Sequence, residues 1–189
     1  GTDMDFVCIE LQHAPISAGD SVHLLRAIQA SDPEVTPFVR VPNHDVYWIQ
    51  QSLDAGAAEF IRRLVYSALI GNGDMHLKNW SLIYPDRRSA ALSPAYDLVS
   101  TIPYIEGEDT AALNFSRTKK MAEFDVDELR HLAAKALLSE KLVIDTAMET
   151  VQRFREVWQT EKGHLPLAAT VVKAIDAHAP TVPLQAELA

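Results

Sequence analysis

A polar loop between a helix-like segment and a hairpin-like segment constrains the fold more than any other feature of the sequence. Residues 59–70 place apolar side chains at helical spacing, which predicts an amphipathic helix that Gly71 ends. A polar loop follows over residues 72–79. Residues 80–84 then alternate as a strand does, before a turn and a return strand at 90–92. The sequence therefore predicts a helix, a loop and a β-hairpin in that order.

Three residues of this region carry side-chain oxygen atoms at a spacing that suits phosphoryl transfer. Asp74 and Asn79 lie five residues apart in the loop, and Asp97 follows the hairpin. Kinases use this order: a loop aspartate orients the attacking hydroxyl, while an asparagine and a later aspartate hold magnesium on the ATP phosphates. Magnesium prefers hard oxygen ligands of these types. We therefore predict that Asp74 is catalytic and that Asn79 and Asp97 bind Mg²⁺ and, through it, ATP.

Two further residues of the loop are candidates for the same site. Lys78 is placed to neutralise charge on the transferring phosphoryl group, and His76 either orients the loop or contacts the substrate. The alternative is structural: Asn72-Gly73-Asp74 is then an ordinary turn and His76 a capping residue, since Asx-Gly turns are common. The order of helix, loop, hairpin and aspartate favours the catalytic interpretation.

Two segments also resemble the signatures of a known family. They are GNGDMHLKN at residues 71–79 and LSPAYDL at residues 92–98. Both are similar to motifs of the HipA-like serine/threonine kinases, many of which are the toxin of a toxin–antitoxin pair. The resemblance covers about residues 58–177. It implies that Asp74 is the catalytic base, that Asn79 and Asp97 bind magnesium, and that the partner is a small helix-turn-helix antitoxin-like protein.

The first 57 residues predict a different architecture, with strand, helix, strand and helix in succession. Residues 6–9 and 37–42 are short apolar runs that suit buried strands, and helix-like segments follow each of them. Strands joined in this way lie parallel, with a right-handed crossover. The expectation is therefore a βαβα piece with a parallel strand pair.

This piece resembles the start of the HpcH/HpaI aldolases, TIM barrels that cleave 2-keto-3-deoxy acids. The resemblance lies in DFVCIELQHAP at residues 5–15, in VRVP at residues 39–42 and in LDAGA at residues 53–57. It implies that His13 is a general base acting through a metal-bound water and that Arg40 binds the substrate's carboxylate and keto oxygen. A TIM barrel needs about 250 residues, so the alternative is that His13 is a strand-end turn residue and Arg40 an edge-strand charge.

The residues after the hairpin predict a bundle of helices. Asp125 is placed as an N-cap, with Glu128 three residues on as its capping-box partner. Ser139 is placed to cap the next helix, and Pro166 to open the last one at its first position. Residues 179–189, which hold two prolines and little periodicity, are expected to form a flexible tail.

These elements together define the expected organisation. The fold class is α+β and mainly α: a kinase-like C-lobe of helices plus a short hairpin, preceded by an incomplete piece of a TIM-type barrel. The expected domains are an aldolase-like fragment at residues 1–57, a HipA-like lobe at residues 58–178 and the tail at residues 179–189. The chain is thus interpreted as two unrelated segments joined near Ala57.

Charge and cysteine content narrow the partners and the compartment. The chain carries 17 Lys and Arg residues against 26 Asp and Glu residues, a net charge of −9, which argues against direct nucleic-acid binding. Its single cysteine, Cys8, allows no intrachain disulfide, which fits a reducing cytoplasm. Its apolar runs are too short to span a bilayer, so a membrane partner is not expected.

The segment before Asp74 lacks two features of a nucleotide-gripping kinase N-lobe. It contains no Gly-x-Gly-x-x-Gly loop and no Val-Ala-x-Lys strand. We therefore expect weak Mg·ATP binding and slow phosphoryl transfer. Three functions remain open: a weakly active HipA-like kinase lobe, a non-catalytic module that binds an antitoxin-like partner, and an aldolase remnant.

Overall fold

The computed structural model describes residues 6–10, 27, 36–40, 46–83, 85–86 and 91–188. Within these residues the chain is mainly helical, with one small sheet. It divides into two compact units. The first unit comprises Gly1–Ala57 and His76–Tyr96, and the second comprises Ala58–Met75 and Asp97–Ala189.

The described sheet belongs to the first unit and has four strands in the order β1-β2-β3-β4. Their bounds are Phe6–Glu10 for β1, Thr36–Arg40 for β2, Ser81–Ile83 for β3 and Ala91–Leu92 for β4. Strands β1 and β2 pair in parallel, as predicted. Strand β3 pairs antiparallel with both β2 and β4. The pairing of β3 with β4 confirms the predicted hairpin.

The piece of a TIM-type barrel is not shown by this sheet. A TIM barrel is built of parallel strands only, whereas the neighbour of β2 on the side away from β1 is the antiparallel strand β3. The hairpin supplies that neighbour, since Val39 pairs with Leu82 and Arg40 pairs with Ser81. The described sheet is therefore mixed.

Helix α1 spans Val46–Ile70 and leaves helical geometry at Gly56, where φ is 172° and ψ is 71°. Residues 46–57 belong to the first unit and residues 58–70 to the second. In the second unit the predicted apolar stripe is confirmed, because every member is buried: Phe60, Ile61, Leu64, Val65, Ala68 and Leu69. Burial of this stripe, at about 25 cal/mol per Å² of apolar surface, favours the helix.

Four further α-helices of the described residues belong to the second unit. They are α2 at Val126–Lys135, α3 at Glu140–Glu161, α4 at Ala169–His178 and α5 at Pro183–Glu187. Short 3₁₀ turns lie at Met121–Glu123 and Ala179–Thr181. The core includes the stacked rings of Phe115 and Phe124, whose centroids are 4.0 Å apart. The His178 ring joins α4 to α1 through Nε2, 2.8 Å from the carbonyl oxygen of Ala68.

Two predicted helix caps are confirmed and one predicted detail is wrong. The Asp125 carboxylate accepts the Glu128 N–H at 2.7 Å, and the Ser139 hydroxyl accepts the Leu142 N–H at 3.4 Å. Glu128 does not complete a capping box. Its carboxylate instead accepts hydrogen bonds from the backbone N–H groups of Arg117 and Thr118 and from Arg117 Nε.

The predicted start of the last long helix is also wrong. Helix α4 begins at Ala169 rather than at Pro166, and its N-cap is Ala168, whose backbone is extended with ψ of 143°. The Ala168 carbonyl accepts the N–H groups of Val171 and Val172 at 2.9 and 3.2 Å. Proline permits a helix start without requiring one, so residues 166–168 remain outside the helix.

Residues 179–188 of the segment predicted to be a flexible tail are folded. Leu184 is fully buried and its N–H donates to the Phe124 carbonyl at 3.3 Å, while the Glu187 carboxylate accepts the Val126 N–H at 2.9 Å. Arg155 donates to the carbonyl of Gln185. Pro183 lies in the first turn of α5, where a missing N–H costs no hydrogen bond, so this proline favours the helix.

Candidate active site

The loop that carries Asp74 starts from a tightly closed helix end. Gly71 has a positive φ of 68°. Its N–H donates to the Ala68 carbonyl at 3.2 Å, and the Asn72 N–H donates to the Ser67 carbonyl at 2.9 Å. These two bonds define a Schellman motif with Gly71 at C′. A Cβ at Gly71 would lie 2.5 Å from Ile102 Cδ1, so both backbone conformation and space require glycine.

Thr101 fixes this loop from the other side, within the second unit. Its N–H donates to the Gly71 carbonyl at 3.0 Å, and its hydroxyl oxygen accepts the Gly73 N–H at 2.7 Å. The Thr101 hydroxyl in turn pairs with the Glu108 carboxylate. The Ala112 N–H donates to the Gly73 carbonyl at 2.9 Å. Both backbone groups of Gly73 are therefore bonded, which holds the peptide next to Asp74.

Gly73 has little room for a side chain. A Cβ there would lie 2.2 Å from the carboxylate of Glu108, so the loop backbone approaches the 101–108 segment closely. Asp74 itself is partly exposed. Asp74 therefore follows directly on a backbone that hydrogen bonds restrain at Gly71 and Gly73.

His76, Lys78 and Asn79 belong to the first unit. The turn Leu77–Asn79 is a 3₁₀ helix in which the Asn79 N–H donates to the His76 carbonyl at 2.9 Å. His76 is exposed, while Lys78 and Asn79 are partly exposed. The flanking Leu77 and Trp80 are buried. The turn thus anchors its apolar residues and leaves its polar side chains towards the surface.

Tyr96 holds this turn, again within the first unit. Its hydroxyl donates to the Lys78 carbonyl at 3.0 Å and lies 2.6 Å from the Ser81 hydroxyl oxygen. Sequence reasoning missed both Tyr96 and Thr101 as positioning residues. The position of Tyr96, directly before Asp97 in the second motif, was an available signal. Thr101 had none, since its partners lie 28 and 30 residues away.

Asp97 stands in an uncommon backbone conformation, with φ of 56°. Few non-glycine residues adopt this region, although aspartate does so more readily than most. Such strain clusters at functional sites. The side chain is exposed, which suits a group that meets a ligand.

The structure thus places the predicted residues in two groups. Asp74 and Asp97 belong to the second unit, while His76, Lys78 and Asn79 belong to the first. Of the aldolase-like pair, His13 lies outside the described residues. Arg40 ends β2, where its backbone pairs with Glu10 and Ser81.

Two negative findings apply to the described part of the chain. It contains no group of three or more His, Cys, Asp and Glu residues able to hold a metal ion. In the same residues, every helix is too short or too polar to cross a membrane.

Residues 45–158 match the HipA-like C-terminal domain family. The chain is 78% identical over 135 residues to "Putative kinase Y4dM" of Sinorhizobium fredii, covering 71% of this chain and 33% of that protein. It therefore spans about a third of the length of this relative.

Two other similarities concern the fold and an aldolase. The chain is also similar to a chain in a solved structure of the Shewanella oneidensis toxin–antitoxin complex of HipA, HipB and its operator DNA. The TM-score is 0.59 at 19% identity, covering 78% of this chain and 36% of that one. A further match, 40% identical over 53 residues, is the hydroxypyruvate/pyruvate aldolase of Paraburkholderia phytofirmans. It covers 28% of this chain and 20% of that enzyme.

Proposed function

The chain belongs to the HipA-like C-terminal domain family, and on that premise we propose that it carries the phosphoryl-transfer residues of a HipA-like serine/threonine kinase. Asp74 accepts the proton of the attacking hydroxyl, and Asn79 and Asp97 hold Mg²⁺ on the ATP phosphates. Lys78 offsets negative charge on the transferring group, and His76 orients the loop or contacts the substrate. Bound Mg²⁺ supplies charge neutralisation at the phosphate oxygens.

One observation supports this proposal: Tyr96, just before Asp97, and Thr101, four residues after it, each bond to the loop. Tyr96 donates to the peptide carbonyl of Lys78, the residue before Asn79. Thr101 accepts the N–H of Gly73, the residue before Asp74. An ordinary surface turn has no need of such anchors. Catalytic groups do need them, because small displacements from the productive geometry reduce the rate.

The donor set fits magnesium rather than a softer metal. Asn79 offers an amide oxygen and Asp97 a carboxylate, both at least partly exposed. Mg²⁺ commonly takes one or two protein oxygens and completes its shell with phosphate oxygens and water. The pair therefore suits a metal that arrives with the nucleotide.

Mg·ATP binding by this chain is expected to be weak. The sequence before Asp74 offers no glycine-rich cover for the phosphates and no strand lysine for them. Water that reaches the site weakens the charge interactions there. Phosphoryl transfer by the 189 residues is accordingly expected to be slow.

The test is transfer from radiolabelled ATP to the chain itself and to an added serine-containing acceptor protein. Asp74→Ala should lower the rate by about 10²–10⁴-fold while leaving Mg-dependent ATP binding intact. Asp97→Ala should remove that binding as well. The matched control is Asp109→Asn, an exposed acid of the second unit outside the loop, which should change neither quantity. Transfer that survives Asp74→Ala would disprove the assignment of the base.

A second candidate is a non-catalytic module that binds a helix-turn-helix antitoxin-like protein. It is supported by the fold similarity to a solved complex of HipA, HipB and operator DNA. Under this alternative, Asp74→Ala and Asp97→Ala leave partner binding unchanged and the wild-type chain transfers no phosphate. Co-purification with the candidate antitoxin, followed by the transfer assay, separates the two.

The third candidate, an aldolase remnant, is supported by the 53-residue match and by the parallel pairing of β1 with β2. His13 would be its base, and Arg40 would bind the substrate's carboxylate. Release of pyruvate from a 2-keto-3-deoxy acid in the presence of a divalent metal, lost in His13→Ala, would support it. Absence of release would remove it.

A further inference from the structure

Two helices of the second unit end in the same backbone motif but with different side chains. In α2, the Leu138 N–H donates to the Ala133 carbonyl at 2.9 Å and the Leu137 N–H to the Ala134 carbonyl at 3.3 Å. These are the two bonds of a Schellman motif, whose C3 and C″ side chains are commonly apolar and in contact. In α2 those positions are Ala133 and Leu138, as the rule expects.

In α1 the same two positions are polar. Ser67 is at C3 and Asn72 at C″, joined by the bond from the Asn72 N–H to the Ser67 carbonyl. Ser67 is 0% exposed and Asn72 is 1% exposed. Burying polar side chains where a helix end normally buries apolar ones is unfavourable unless their polar atoms are hydrogen-bonded.

The two side-chain oxygens make no such bonds with the described residues. Among the described residues, neither Ser67 Oγ nor Asn72 Oδ1 has a hydrogen-bond partner. Ser100 Oγ is likewise unpartnered, in a residue that is 7% exposed. Ser100 precedes Thr101, whose N–H binds the Gly71 carbonyl. Three buried oxygens therefore lie within one or two residues of the bonds that close this helix end.

We propose that a buried water molecule is bound at the end of α1 by Ser67 Oγ and Asn72 Oδ1, with Ser100 Oγ as its third partner. The water donates one hydrogen to Asn72 Oδ1, which can only accept, and accepts the hydroxyl hydrogen of Ser67. Its second hydrogen goes to Ser100 Oγ. Buried waters typically make about three hydrogen bonds to otherwise unsatisfied groups, and this set supplies three.

The bound water would join helix α1 to the first residue of the loop that leads to Asp74. The water would therefore restrain the loop from the core side, whereas the Thr101 bonds restrain it from the segment that contains Thr101. This inference concerns the folded chain and does not depend on the proposed kinase activity.

The sign of one substitution tests the proposal. If Ser67 Oγ is an unpaired buried hydroxyl, Ser67→Ala removes an unfavourable group and the melting temperature stays unchanged or rises. If the hydroxyl binds water, Ser67→Ala weakens the hydrogen-bonding and the melting temperature falls by about 2–4 °C. Such a fall is the expected result, and an unchanged or higher melting temperature overturns the proposal.

A matched control shows whether the effect belongs to this site. Ser116 is another buried serine of the second unit whose Oγ has no partner among the described residues, in the turn that Glu128 anchors. In an Asn72→Ala background, the effect of Ser67→Ala should shrink, because both groups serve one water. The effect of Ser116→Ala should be the same in either background. Equal additivity for both serines would contradict a shared water.

A crystal structure of the wild-type chain provides a second, independent measurement. It should show a water about 2.7–3.2 Å from both Ser67 Oγ and Asn72 Oδ1. A direct hydrogen bond between the two side chains would disprove the proposal. A bound potassium ion would do so too, and would be revealed by a melting temperature that rises in potassium chloride but not in sodium chloride.

Discussion

The ends of helices α1 and α2 share a backbone motif, yet they differ in how tightly the surroundings constrain it. At α1 the left-handed residue is Gly71, with Ile102 packed where a Cβ would be. At α2 it is Leu137, with φ of 55° and a side chain that is 90% exposed. The comparison teaches that the motif itself tolerates a strained residue. Close packing, rather than the turn, makes glycine obligatory next to the Asp74 loop.

The largest expected effect on stability comes from adding a side chain at Gly71, at the end of α1. Gly71→Ala should lower the free energy of unfolding by about 3 kcal/mol, because alanine at positive φ costs about 1 kcal/mol and its Cβ forces Ile102 to move. Chemical denaturation of both proteins measures this. The control is Gly107→Ala: Gly107 has φ of 74°, but nothing lies within 4 Å of an added Cβ. It should cost only the backbone strain.

This pair of variants separates packing from conformation. If Gly71→Ala and Gly107→Ala lower the free energy of unfolding equally, then Ile102 moves away at little cost and close packing does not constrain the end of α1. Shortening Ile102 to valine in the Gly71→Ala background should recover part of the loss. A failure to recover would place the strain in the backbone alone.

The start of α2 is held more firmly than its end. Glu128 is 2% exposed, and its carboxylate accepts the Thr118 N–H at 3.1 Å and Arg117 Nε at 2.7 Å. Glu128→Gln should lower the free energy of unfolding by about 2 kcal/mol, because an amide cannot accept all of these bonds and leaves partly buried donors unpaired. The control, Asp127→Asn, alters an exposed partner of the same arginine and should change stability little.

The same substitution should change the pH dependence of stability. Burial alone would raise the pKa of Glu128, but the hydrogen bonds from Arg117 and Thr118 outweigh it, so the pKa lies below its usual value. A lowered pKa contributes stability above the unfolded-state value of about 4.3. That contribution is lost as the pH falls through the folded-state value. Denaturation from pH 7 to pH 3 should therefore show a shallower acid decline in Glu128→Gln than in wild type.

Local patterns predicted the elements that local interactions determine. The α1 stripe, the hairpin and the Asp125 and Ser139 caps depend on residues within a few positions of one another, so periodicity and capping rules identified them. The loop glycine at 71 was recognised for the same reason. The roles of Asp74, Asn79 and Asp97 stay predictions, since the geometry neither contradicts nor tests them.

The sequence could not predict contacts between distant residues. Tyr96 meets Lys78 from 18 positions away, and the bond between Leu184 and Phe124, which holds the chain's end in place, spans 60 positions. The motif position of Tyr96 marks it as a candidate but does not identify its partner, and nothing local distinguishes Leu184 from a residue of a mobile terminus. The positive φ of Asp97 is likewise set by its surroundings.

The smallest expected effect is a gain at the loose end of α2. Leu137→Gly should raise the free energy of unfolding by about 0.5–1 kcal/mol. Leucine at positive φ costs about 1 kcal/mol, and glycine removes that cost. The greater entropy of the unfolded chain with glycine then cancels part of the gain. Little burial is lost, because the side chain is 90% exposed. Leu137→Ala is the control, since it removes the side chain but keeps the strain and should leave stability nearly unchanged. If Leu137→Gly destabilised the chain more than Leu137→Ala does, the leucine would make a stabilising contact, and the two helix ends would be equally constrained.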